Sequence, residues 1–111
     1  MYRSGKVFIG ERYAGLIWQD ENSYAFQYDK DYVNKKSIVV PVSLTLPLRD
    51  EPYLTNVLHP FFDGLIPEGW LLNIVVNNWK LNPNDRMGLL LIACRDCIGA
   101  VSILPVENTT T

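Results

Sequence analysis

The sequence predicts an α+β domain, in which a small, mostly antiparallel sheet or partly open barrel is packed against two C-terminal helices. Three observations predict this. Short apolar runs separated by turn residues fill the first half of the chain, two helical patterns follow, and one more short apolar run comes last. Strands grouped before helices are typical of α+β domains. At 111 residues we expect one domain over residues 1–104 and a polar tail at 105–111.

The first half of the chain predicts consecutive antiparallel strands. Lys6–Ile9 and Tyr13–Trp18 are apolar runs on either side of Gly10-Glu11, a pair that favours a two-residue hairpin turn. From Tyr24 to Tyr28, aromatic residues alternate with other residues, which is the period of a half-buried strand. Asp29–Val33 then predicts a single helical turn.

A further strand is predicted over Val42–Leu48, where valine and leucine alternate with polar residues and proline. Pro47 interrupts this pattern and has no N–H group to donate to a neighbouring strand. The strand is therefore expected to end at the proline or to lie at a sheet edge.

Residues 59–70 predict a shaped junction between an extended segment and a long apolar helix. Gly64 and Gly69 can take backbone angles that other residues avoid, and Pro67 fixes its own φ angle. Phe61 and Phe62 are expected to lie in the core and to hold the junction in place. The junction is thus predicted to have a defined shape.

Two helices are predicted after the junction. The first spans about Pro67–Lys80, with proline at its first position and Glu68 near the positive end of the helix dipole. The second takes Asn82 as its N-cap and stays apolar to Cys94. A last strand over Ala100–Leu104 completes the sheet.

Composition and charge argue against several classes of function. The chain is 48% hydrophobic and 20% charged, as ordinary globular proteins are. Its net charge of −2, its pI near 5.2 and its scattered basic residues argue against direct nucleic-acid binding. The longest apolar run, Leu89–Cys94, is far too short to span a membrane, and no secretory signal pattern is present. We therefore expect a cytoplasmic protein.

Signals for catalysis or metal binding are weak. Cys94 and Cys97 form a C-x-x-C pair, but the pair ends an apolar helix instead of opening one, and zinc would need ligands beyond His59, the only histidine. His59 precedes a proline and is expected to be a turn residue. Asp63 and Glu68 could form an acid–base pair, although acids at helix starts are usually caps. We expect no enzyme and no cofactor, and a small redox or metal protein remains an alternative.

Trp70 is the main candidate for contact with a partner. On a helical wheel, Trp70 and Ile74 fall on the polar side, between Asn77 and Asn78. The apolar stripe of the same helix is formed by Leu71, Leu72, Val75, Val76 and Trp79. Two interpretations stay open: another part of the domain covers the first helical turn, or Trp70 inserts into a partner protein, since Trp is favoured in binding hot spots.

Several blocks of the sequence, in order, closely resemble the N-terminal subdomain of HipA-type toxin kinases. These blocks are Pro41–Arg49, Pro60–Gly69, Asn84-Asp85 and Arg95–Val101, and Gly10–Gly15 resembles the first hairpin of that subdomain. The resemblance runs from about Lys6 to Leu104. A HipA kinase continues for a few hundred further residues that carry its ATP site and catalytic acids, whereas this chain stops a few residues beyond Ile103.

The chain in this respect resembles HipS-type antitoxins of three-component HipBST toxin–antitoxin systems, which are encoded separately from a shortened kinase, HipT. The resemblance implies an antitoxin that binds and inhibits a HipT/HipA-like Ser/Thr kinase, with a HipB-like DNA-binding protein in the same complex. The expected partner-binding residues are Trp70, Ile74, Glu68, Asp63 and Gly69, presented at or near the active-site cleft of the kinase. Two modes of inhibition stay open: the active site is blocked directly, or the kinase is held inactive at a distance. The alternative is a non-catalytic structural subdomain cut from a full-length HipA-like kinase.

Overall fold

A computed structural model describes residues 3–21, 23–34, 39–66, 77, 84–93 and 100–106. Within these ranges the fold is mostly sheet, with few helices. In chain order the elements are β1 Arg3–Ile9, β2 Arg12–Gln19, β3 Tyr24–Tyr28, α1 Lys30–Val33, β4 Tyr53–Thr55, α2 Pro60–Asp63, α3 Arg86–Ala93 and β5 Val101–Pro105. None of the helices within the described ranges is long and apolar enough to cross a membrane.

The five strands form one open antiparallel sheet in the order β4-β3-β2-β1-β5. Gly10 lies in the β1–β2 turn with φ of 60°, a left-handed angle that glycine takes without steric cost. Its N–H donates to the carbonyl of Ala100 at 2.7 Å, which holds the turn against the chain leading into β5. The strands predicted for β1, β2, β3 and β5 and the helical turn α1 are confirmed. The sequence predicted only an extended segment near β4.

The core lies against one face of the sheet. Fully buried side chains from neighbouring strands meet on that face, as the register shows: Val7 pairs with Ile103, and Ile17 pairs with Phe26. Four residues of α3 are buried in the same cluster, namely Met87, Leu89, Leu90 and Leu91. The first of the two predicted C-terminal helices lies outside the described residues except for Asn77, which is helical and exposed. A layer of two helices therefore stays a prediction.

The strand predicted over Val42–Leu48 is wrong. The segment is irregular and contains a tight turn, in which the N–H of Leu46 donates to the carbonyl of Ser43 at 3.0 Å. Val42 and Leu46 are buried, but Leu44 between them is 93% exposed. The alternating apolar residues therefore do not share one buried face.

Two local features of this segment prevent sheet pairing. Pro41 and Pro47 have no N–H to donate to a neighbouring strand. The Oγ of Ser43 accepts a hydrogen bond from the N–H of Thr45 at 3.2 Å, a local bond of the kind that competes with regular structure. These local features act together with the hydroxyl of Tyr28, which accepts the N–H of Val42 and donates to the carbonyl of Leu46.

The predicted N-cap at Asn82 is also wrong. Asn84 lies in a turn, and α3 begins at Arg86. A carboxylate oxygen of Asp85 accepts the N–H of Gly88 at 3.2 Å, and the Asp85 carbonyl accepts the N–H of Leu89 at 3.0 Å. These are the contacts of an N-cap residue, so Asp85 caps the helix.

Candidate interaction site

The described part of the junction, residues 59–66, contains the short helix α2 and is anchored in the core. The Nδ1 atom of His59 accepts the N–H of Phe61 at 3.1 Å and so caps α2, which confirms the prediction that His59 is a turn residue. Phe62 is fully buried, and its ring centroid lies 5.2 Å from that of Phe26. Phe61 packs edge-on against Phe62 at 5.1 Å and is partly buried. The phenylalanine pair therefore fixes the junction to the sheet, as predicted.

Gly64 does not use its conformational freedom. Its φ and ψ angles are −68° and −15°, in the ordinary right-handed helical region. Its N–H donates to the carbonyl of Pro60 at 2.9 Å, and the N–H of Leu65 donates to the carbonyl of Phe62 at 3.0 Å. The expectation that unusual angles shape the junction is thus wrong at Gly64, where the chain follows a regular helical turn.

Asp63 joins α2 to the beginning of α3. Its Oδ1 atom lies 2.6 Å from the Nε atom of Arg86, while the two side chains remain 41% and 32% exposed, respectively. A partly exposed pair of this kind contributes up to about 1 kcal/mol to the free energy of unfolding. The predicted partner-binding residue Asp63 is therefore already engaged within the fold, although its side chain is still accessible from outside.

A second ion pair joins α3 to the sheet. The Nη1 and Nη2 atoms of Arg3 donate to the two carboxylate oxygens of Asp85 at 2.8 and 2.7 Å, and the Nε atom donates to Gln19 at 3.0 Å. These hydrogen bonds from Arg3 hold the pKa of Asp85 below its usual value and raise the pKa of Arg3. Since Asp85 is also the helix cap, one carboxylate fixes both the start of α3 and its position on β1.

The two ion pairs matter because of where they lie in the chain. One involves Asp63, shortly before residues 67–83, and both involve the start of α3, directly after them. The chain therefore enters and leaves this interval, which carries most of the predicted contact residues, at positions tied to the fold.

Of the five predicted partner-binding residues, the structure describes only Asp63. Trp70, Ile74, Glu68 and Gly69 lie outside the described residues, and their roles stay predictions. Cys94 and Cys97, on which the redox or metal alternative depends, also lie outside them.

Sequence reasoning missed both ion pairs. Their partners are 23 and 82 residues apart in the chain, and no local spacing signals such a contact. The Asp85 cap did have a signal, because an aspartate directly before an apolar helical run is a strong N-cap candidate.

The environment of His59 predicts that stability depends on pH. Burial lowers the pKa of His59 below its usual value of 6.5, so the unfolded chain takes up a proton at a higher pH than the folded chain does. Neutral His59 therefore contributes fully to the free energy of unfolding above pH 6.5. This contribution is lost as the pH falls through the folded-state pKa of His59. Protonation of Nδ1 also removes the acceptor that caps α2.

We expect His59→Asn to reduce this pH dependence, because asparagine can cap the helix without titrating. The measurement is urea unfolding of both proteins at pH 7.5 and 5.5. The wild type is expected to lose more stability between these values than the variant does. Equal losses in the two proteins would contradict the assignment.

Comparisons with known proteins identify the family. The sequence profile of the HipA N-terminal domain matches residues 5–104. The chain belongs to the HipA N-terminal domain family. A solved structure described as the N-terminal domain of HipA toxin superposes with a TM-score of 0.68 at 27% identity, covering 96% of this chain and 95% of that chain. Sequence profile and fold therefore agree.

Two relatives show that this family domain occurs in proteins of different length. An uncharacterised protein of Haemophilus influenzae (strain ATCC 51907 / DSM 11121 / KW20 / Rd) is 33% identical over 103 residues, which are 93% of this chain and 92% of that protein. A protein of Sinorhizobium fredii (strain NBRC 101917 / NGR234), named "Putative kinase Y4mE", is 30% identical over 103 residues. Those residues are 92% of this chain but only 24% of Y4mE.

Proposed function

We propose that this chain is an antitoxin of the HipS type, which binds a separate HipT/HipA-like Ser/Thr kinase and suppresses its activity. The observation that carries the proposal is the difference in length between the two relatives. The matched region is nearly all of the Haemophilus protein but about a quarter of Y4mE, whose name describes a kinase. In Y4mE the matched domain is joined to the rest of a kinase-named chain. When the same domain is a separate protein, it is suited to bind a polypeptide similar to that rest.

The chain itself has no catalytic role in this proposal. The match is to the N-terminal domain of HipA, and in this family the kinase activity lies in the C-terminal part. Inhibition then depends on binding alone. A buried tryptophan in the centre of an interface can contribute a few kcal/mol, which is enough to hold a partner without a covalent step.

Trp70 is the residue proposed to enter the active-site cleft of the kinase, with Ile74, Glu68, Gly69 and Asp63 around it. Asn77 supports this proposal. It lies seven residues after Trp70, a spacing that puts two residues on the same side of a helix, and it is helical and exposed. Its exposure is consistent with the prediction that this side of the helix faces away from the core.

The fold supports the idea that residues 67–83 are held in a defined position. The core packing of Phe62, together with the Asp63–Arg86 and Arg3–Asp85 ion pairs, fixes the chain on both sides of residues 67–83. A contact presented from fixed positions loses less conformational entropy on binding than one on a free loop.

The other partner in the proposal is a HipB-like DNA-binding protein in the same complex, in the cytoplasm. The net charge of −2 is compatible with leaving the DNA contacts to that component.

A second proposal follows from Y4mE, in which the matched region is 24% of a longer protein. This chain could be the corresponding piece of a full-length HipA-like kinase and pack on its kinase part in cis. The open reading frame around the sequence distinguishes the two proposals, because a reading frame that continues into a kinase domain favours the second.

Co-expression with the neighbouring kinase gene tests the antitoxin proposal. We expect the kinase alone to arrest growth, and co-expression of this chain to restore growth and to yield a complex of the two polypeptides on purification. A chain that neither restores growth nor co-purifies with the kinase would contradict the proposal.

A further inference from the structure

Leu44 is the most exposed large apolar side chain in the described part of the protein, at 93%. It lies within the turn that the Ser43–Leu46 hydrogen bond closes. Glycine, proline, asparagine, aspartate and serine dominate turns because each helps to form them. A leucine in this position does not help the turn and leaves its whole side chain in water. A contact with another molecule would remove this side chain from water.

A buried tyrosine, Tyr28, holds the turn that carries Leu44. The N–H of Val42 donates to the hydroxyl oxygen of Tyr28 at 2.9 Å, and the same hydroxyl donates to the carbonyl of Leu46. Burial raises the pKa of Tyr28 to about 12, so the hydroxyl keeps the proton that this arrangement needs. One buried group thus fixes the backbone on both sides of Leu44.

Tyr32 holds the preceding part of the same segment. Its hydroxyl donates to the carbonyl of Val40 at 2.6 Å, and its ring is stacked parallel to that of Tyr28 with the centroids 6.2 Å apart. Val40 is itself 51% exposed. Because the fold already orders this segment, Leu44 and Val40 can be bound with little further loss of backbone entropy.

We propose that Leu44, together with Val40, is a second contact with the kinase polypeptide and inserts into an apolar pocket of that protein. This inference rests on the proposed function. In Y4mE the matched domain is part of a chain about four times as long, and the name of that protein describes a kinase. The surface of the matched domain in Y4mE can therefore pack against the rest of the same chain. The turn Ser43–Leu46 carries no charged residue, and Leu44 is its exposed apolar side chain, which suits an apolar pocket.

A second copy of this chain is the competing occupant. Open depressions of about 370 and 240 Å³ lie among the described residues, so the test below also measures self-association.

The test compares two exposed leucines on different parts of the surface. The kinase encoded beside this chain is titrated with the wild type, Leu44→Asp and Leu44→Ala, and with Leu54→Asp as the control, since Leu54 is 68% exposed on the edge strand β4. We expect Leu44→Asp to weaken binding by about tenfold or more and Leu44→Ala to weaken it less. Leu54→Asp should change affinity less than twofold, and all variants should unfold at the same urea concentration as the wild type.

The outcomes separate this inference from the proposed function. If the wild type binds the kinase and Leu44→Asp binds equally well, the inference is overturned and the proposed function stands. If the wild type does not bind the kinase, both are overturned. If Leu44→Asp leaves kinase affinity unchanged but disrupts self-association, as measured by light scattering, the occupant is a second copy and the inference is wrong.

Discussion

Replacing Phe62 with alanine is expected to lower the free energy of unfolding by about 3–5 kcal/mol. The ring is fully buried and contacts the rings of Phe26, Phe61 and His59 at centroid distances of 5.2, 5.1 and 6.3 Å. Its removal leaves a cavity where α2 meets the sheet. A loss of this size is a large part of the 5–15 kcal/mol by which a typical domain is stable.

Urea unfolding followed by tryptophan fluorescence measures this loss. Phe62→Leu is the matched control, because it keeps an apolar side chain of similar volume and should cost roughly 1 kcal/mol. Phe61→Ala should cost less than Phe62→Ala, since Phe61 is only partly buried. If Phe62→Ala were no less stable than Phe62→Leu, the junction would not be anchored through this ring.

Replacing Trp70 with alanine is expected to weaken binding to the kinase by about thirtyfold or more, which corresponds to about 2 kcal/mol. The reason is the proposed insertion of the indole into the partner, where its apolar surface would leave water. The same change should leave the stability of the isolated chain nearly unaltered, because the helical pattern puts Trp70 on the polar side.

The experiment measures kinase affinity and urea stability for the same set of variants. Asn77→Ala is the control, because Asn77 is exposed and lies on the same side of the predicted helix, yet offers little apolar surface. A fall in stability of about 3–5 kcal/mol for Trp70→Ala would indicate a tryptophan buried in its own domain. The other interpretation of Trp70, in which the domain covers the first helical turn, would then be correct.

The sheet could largely be predicted from the sequence because its signals are local. Gly10 takes the positive φ angle that a two-residue hairpin needs, and the aromatic alternation from Tyr24 to Tyr28 has the period of a strand. The alternation over Val42–Leu48 has the same period but does not form a strand. What decides this segment is the hydroxyl of Tyr28, which binds the backbone on both sides of Leu44 and lies 14 residues or more away in sequence. A local period cannot reveal such a contact.

The start of α3 also depends on a contact that a local sequence pattern cannot reveal. Asn82 and Asp85 are both acceptable cap residues, and each precedes the apolar run. Asp85 caps the helix in the structure, where its carboxylate also receives Arg3 from β1, 82 residues away. For the candidate site, the sequence predicted the junction and a turn residue at His59, but neither the helix cap that His59 forms nor the pairing of Asp63 with Arg86. Long-range ion pairs depend on the assembled fold.

Inhibition of the purified kinase tests the central claim most directly. Autophosphorylation of the neighbouring kinase is measured with radiolabelled ATP while this chain is added in increasing amounts. The account predicts that activity falls to background once the chain is in molar excess over the kinase and above its dissociation constant. Full kinase activity in the presence of saturating chain would contradict it.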